Sequence, residues 1–88
     1  MSETPVTARG HVLVVEDEDV VRELLTSLLC NEGYSVSAVA TGADALKTLE
    51  RELYDVVLLD LNLPGMHGMN VLAAAPALQT DAQFIVTT

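Results

Sequence analysis

The stretch HVLVVEDEDVVRELLTSLLCNEG, residues 11–33, changes its hydrophobic period once, and that change decides the fold class. His11-Val12-Leu13-Val14-Val15 is a short, unbroken apolar run rich in β-branched side chains, the pattern of a strand buried on both faces. From Glu18 to Asn31 the apolar positions become Val20, Val21, Leu24, Leu25, Leu28 and Leu29, whose spacing is a helical stripe. Glu18, Asp19 and Glu23 lie in the first half of that helix, where its dipole favours anions. Gly33 provides the stop.

Downstream the same alternation continues. Tyr34 to Ala40 alternates in part and reads as a second strand. Thr41-Gly42-Ala43-Asp44 is a near capping box, with Asp where Glu or Gln is usual, and the helix after it carries Ala45, Leu46, Leu49 and Leu53 on one side. Val56-Val57-Leu58-Leu59 is a third strand. Leu61 to Gly68 contains Pro64, Gly65 and Gly68 and is a loop. Met69 to Leu78 is Ala-rich and helical, with Pro76 set to kink or end it near Ala75. Phe84 to Thr87 is a fourth strand. The order β-α-β-α-β-α-β predicts an α/β, doubly wound parallel sheet. Residues 1–10, with Ser2, Pro5 and Gly10, read as a flexible leader to residues 11–88.

Composition narrows the function. The 88 residues suit one domain, half of them are hydrophobic, and three aromatic residues leave an aliphatic core. A formal net charge of −9 repels phosphate backbones and anionic lipid, which argues against nucleic acid and membrane surfaces as partners of this segment. No apolar run approaches the ~20 residues of a membrane span, and Met1 to Gly10 lacks the form of a signal peptide. The expectation is a cytoplasmic protein. A single cysteine excludes an internal disulfide, and its place in the helical stripe predicts Cys30 to be a small core residue. His11, at a strand start, is expected to be exposed, and His67 to be a solvated loop residue.

The chemistry is sought beyond the carboxyl ends of the strands, where such sheets bind ligands. Strand one runs into Glu16-Asp17 and strand three into Asp60. If the two strands are neighbours, three carboxylates converge, and like charges at close range do not all stay ionised unaided. A hard divalent cation such as Mg²⁺ resolves this with oxygen ligands and water, and Asn62 has a backbone carbonyl to add. A carboxylate beside a bound Mg²⁺ is a plausible phosphoryl acceptor.

Two stretches, Val14-Val15-Glu16-Asp17-Glu18 and Val57 to Gly68 (VLLDLNLPGMHG), together resemble the receiver domain of two-component response regulators. The resemblance spans residues 11–88. It implies a flavodoxin-like sheet of order 2-1-3-4, the family's fifth strand being absent from this sequence. It implies that Asp60 accepts a phosphoryl group from a sensor histidine kinase or phosphotransfer protein. Asp17 would ligate Mg²⁺ directly and Glu16 through water, with Asp60 and the carbonyl of Asn62 completing the protein ligands. It further implies a phosphoryl-sensing hydroxyl at the end of the fourth strand, for which Thr88 fits best by spacing and Thr87 is the fallback.

The sequence departs from the family after the fourth strand. A receiver domain typically has ~120 residues, and the family's invariant lysine and aromatic switch residue lie in the part not represented. Lys47, the only lysine, falls in the second helix. The expectation is an incomplete receiver, a fragment of a longer regulator with an output domain beyond residue 88, and little phosphorylation of these residues alone. In the minority reading a homodimer covers the edge of strand four. The domain is expected to be a signalling module that assists its own phosphorylation, not a turnover enzyme. The alternatives are a receiver-like interaction module that never carries phosphate and an aspartyl-phosphate phosphohydrolase. The hydrolase is disfavoured because it needs an Asp where Asn62 stands.

Overall fold

The computed structural model describes residues 9–60, 70, 71, 73, 74 and 82–87. Its elements run β1 (His11–Val15), α1 (Asp19–Asn31), β2 (Ser35–Val39), α2 (Gly42–Arg51), β3 (Val56–Asp60) and β4 (Gln83–Thr87). Asn70, Val71, Ala73 and Ala74 are helical and fall within the third predicted helix. The loop from Leu61 to Gly68 and the proposed break at Pro76 lie outside the described residues.

The four strands form one sheet in the order β2-β1-β3-β4, and every pairing is parallel. This is the flavodoxin-like arrangement. The chain moves outward from β1 to β2, then crosses back to β3 on the other side of β1. The β1/β3 boundary is therefore the switch point at which open α/β sheets present their ligand crevice.

Burial explains why β1 and β3 are central. Val12 to Val15 are at most 3% exposed, and Val57 and Leu59 are wholly buried. Leu13, Val15, Val57 and Leu59 pack on one face with Ala45 and Leu49 of α2, with Tyr54 and with Val71. Phe84 of β4 is half-buried against that cluster. At the edge, Ile85 and Val86 are 48% and 41% exposed.

The opposite face is covered less completely. No residue of α1 is buried. Val21, Leu25 and Leu29 are half-buried, whereas Val20, Leu24 and Leu28 are exposed. The stripe is two residues wide, and only one of its rows meets the sheet. Cys30 is exposed, contrary to the core position expected from the sequence, because it follows Leu29 around the helix and away from that row. Leu53 is a second correction: α2 ends at Arg51, so Leu53 leaves the helical face and is 82% exposed.

Turn chemistry sets the element ends. The Thr41 hydroxyl accepts a hydrogen bond from the Asp44 N–H at 3.1 Å and caps α2 as the sequence predicts. Gly33, at φ +96°, ends α1: its N–H donates to Cys30 O and the Tyr34 N–H donates to Leu29 O. At the amino ends of the strands Arg9 N donates to Gly33 O and Ser35 N donates to Gly10 O, so the end of the leader stretch already joins the sheet. His11 is half-buried, not exposed as expected. Its ring lies 4.1 Å from that of Tyr54, and its nitrogens meet Leu53 O and Ser37 Oγ, each at 3.2 Å. Because β1 is flanked on both sides, even its first side chain finds neighbours.

Candidate functional site

Register brings the acidic residues together. The last paired residues of β1 and β3 are Val15 and Leu59, so Glu16 and Asp60 stand one step further along adjacent strands. The Glu16 N–H still donates to Val39 O at 3.0 Å, which keeps its backbone in the sheet while its side chain turns to the switch point. Carboxylate oxygens of Glu16, Asp17 and Asp60 lie within 4.8 Å of one another. Glu16 and Asp60 are each 8% exposed, and Asp17 is exposed.

The electrostatics follow from that crowding. Burial is the largest influence on the Glu16 carboxyl and pushes it above its ordinary value; the charge of Asp60, a hydrogen bond with Asp60 and the charge of Asp17 push the same way. The Glu18 N–H, donating to Glu16 Oε2 at 3.2 Å, opposes them. The donor set is all oxygen, carries concentrated negative charge and stays open to solvent at Asp17. That chemistry fits a hard divalent cation that retains water.

Of the other expected site residues, Thr87 ends β4 in register with Asp60. Asn62 and Thr88 lie outside the described residues, as does His67. One neighbour of the acidic edge was not anticipated from sequence: Arg22 of α1 donates from Nη1 to the carbonyls of Glu16 and Asp17, at 2.9 and 3.4 Å.

The model of the response regulator receiver domain family matches residues 12–88. The chain belongs to that family. This receiver is 36% identical over 77 residues to the TorCAD operon transcriptional regulatory protein TorR of Escherichia coli K12, an alignment covering 88% of the chain and 34% of TorR. It thus spans about a third of the length of that relative. Response regulator TrrA of Thermotoga maritima is 38% identical, with 86% of this receiver and 66% of that chain covered. TrrA has been solved in complex with Mg²⁺-BeF and with histidine kinase ThkA, at TM-scores of 0.81 and 0.80. A response regulator of Burkholderia pseudomallei, solved with a phosphorylated aspartic acid and a calcium ion, is 30% identical at a TM-score of 0.83, over 86% of this receiver and 45% of that chain. None of the described helices is long and apolar enough to cross a membrane.

Proposed function

We propose that this receiver takes a phosphoryl group on Asp60 from a histidine kinase or phosphotransfer protein and passes the signal to an output domain. The observation that carries the reading is the convergence of Glu16, Asp17 and Asp60 within 4.8 Å at the β1/β3 switch point. In the proposed step an Asp60 carboxylate oxygen attacks the phosphorus of a phosphohistidine. The O–P bond forms as the N–P bond breaks, and the departing imidazole nitrogen keeps the electron pair and takes up a proton. Glu16, Asp17 and Asp60, with the Asn62 carbonyl, would hold Mg²⁺. When bound, the ion would offset the negative charge that develops during the transfer.

Each side chain then has its own part. Asp60 is the nucleophile. Asp17, exposed, would ligate the cation, and buried Glu16 would accept from a water on it. Thr88, or Thr87 in its place, follows the phosphoryl oxygens with its hydroxyl. Two solved relatives support this reading: TrrA has been solved with Mg²⁺-BeF and with histidine kinase ThkA, and the Burkholderia pseudomallei regulator carries a phosphorylated aspartic acid. The test is acid-labile phosphate incorporation in the regulator that carries this receiver, with the kinase as donor. Incorporation in the parent and none in Asp60→Asn is expected; labelling retained in Asp60→Asn moves the acceptor elsewhere.

A further inference from the structure

The acidic side chains depend on the course of the backbone between β1 and α1, and one side chain grips that backbone. Nη1 of Arg22 donates to Glu16 O at 2.9 Å and to Asp17 O at 3.4 Å, while Nη2 pairs with the Asp19 carboxylate. The Arg22 side chain is only 21% exposed although its partner Asp19 is 80% exposed. Its own backbone is fixed in the first turns of α1: Arg22 N donates to Glu18 O at 2.9 Å, and Arg22 O accepts from Thr26 Oγ1 at 2.8 Å. Glu18, the N-cap residue of α1, makes no side-chain capping hydrogen bond. The bend is tied instead by the Glu18 N–H on Glu16 Oε2 and by this guanidinium.

We propose that Arg22 is a positioning residue for the cation site: its guanidinium, held through Nη2 by Asp19, fixes the Glu16 and Asp17 carbonyls through Nη1, and so aims the two carboxylates at Asp60. The inference rests on the reading that this edge holds a divalent cation. Arg22 donates through two nitrogens in a rigid plane, which an ammonium point charge does not reproduce. Partners that orient ligands without touching the metal commonly govern its affinity.

Charge and geometry predict opposite signs here, which makes the role testable. A guanidinium beside a cation site repels the cation, so a purely electrostatic Arg22 would tighten Mg²⁺ binding when removed. A positioning Arg22 weakens it when removed.

The experiment is calorimetric titration of MgCl₂ into the parent, Arg22→Gln, Arg22→Lys and Asp17→Ala proteins. Circular dichroism confirms in parallel that each is folded. Arg22→Gln is expected to raise the Mg²⁺ Kd by about tenfold. Arg22→Lys keeps the charge but not the planar fork, so the loss expected there reads geometry alone, and it serves where Arg22→Gln does not fold. A Kd in either variant equal to or tighter than the parent's overturns the proposal. A parent titration indistinguishable from Asp17→Ala overturns the cation reading itself, and the positioning role with it.

Discussion

Replacing Glu16 by Gln is expected to stabilise the receiver in chelator at pH 8. Glu16 and Asp60 are each 8% exposed, and their carboxylate oxygens, with that of Asp17, lie within 4.8 Å. Two unit charges at that separation repel by about 3–4 kcal/mol at an effective dielectric of about 20, and by less than about 1 kcal/mol in bulk water. The Glu18 N–H on Glu16 Oε2 and the exposure of Asp17 hold the net effect between those limits, at about 1–2 kcal/mol. The glutamine amide keeps an oxygen for the Glu18 N–H and gains an N–H toward Asp60, so it mimics the protonated carboxyl.

The pH dependence follows from the direction of the shift. Glu16 titrates in the folded protein above its ordinary value of 4.5. Between 4.5 and the raised value the folded state binds more protons than the unfolded state, so this group's contribution falls as pH rises. It is complete below 4.5 and lost above the raised value. The stability gap between Glu16→Gln and the parent should therefore be small near pH 4 and open toward pH 8. Urea unfolding in EDTA, followed by circular dichroism at both pH values, measures it. In thermal melts each 1 kcal/mol corresponds to about 4–8 °C for a domain of this size. A variant less stable than the parent at pH 8, or a gap that ignores pH, would show that the three carboxylates do not strain the folded state.

Further expectations concern the frame that holds the site. Leu13→Ala, in the wholly buried middle of β1, should cost about 2–5 kcal/mol in urea unfolding, because a strand paired on both sides has little room to collapse around the cavity. Thr41→Ala should cost about 1 kcal/mol through loss of the cap on the Asp44 N–H, with Thr41→Ser restoring most of it. Added MgCl₂ should raise the melting temperature of the parent and leave that of Asp17→Ala nearly unchanged, since only a folded site binds the ion.

What the sequence made legible follows from how strongly each pattern constrains packing. β1 and β3 read correctly because a continuous apolar run has one home in an α/β fold, the middle of the sheet. Two central strands ending in acids place Glu16, Asp17 and Asp60 on one edge, and the register bears that out. The α1 stripe was less informative. Its adjacent rows, Val20-Leu24-Leu28 and Val21-Leu25-Leu29, are equally apolar, and only the docked helix distinguishes the exposed row from the half-buried one. The same ambiguity hides the exposure of Cys30. A strand's first residue looks terminal in sequence, whereas Tyr54 and Ser37 close around His11 in the fold. Arg22 gave no signal beyond a basic residue early in a helix. Its role depends on where the Glu16 and Asp17 carbonyls point, which spacing does not encode.

Cation binding and phosphoryl transfer are proposed to share the Glu16–Asp17–Asp60 edge. The most direct test is peptide mapping by mass spectrometry of the regulator carrying this receiver, after exposure to its phosphoryl donor with Mg²⁺ or with EDTA. One phosphoryl group is expected, on the peptide containing Asp60 and at that residue, present with Mg²⁺ and absent with EDTA. Phosphate on His67 or any other residue, or on Asp60 to the same extent in EDTA, would contradict it.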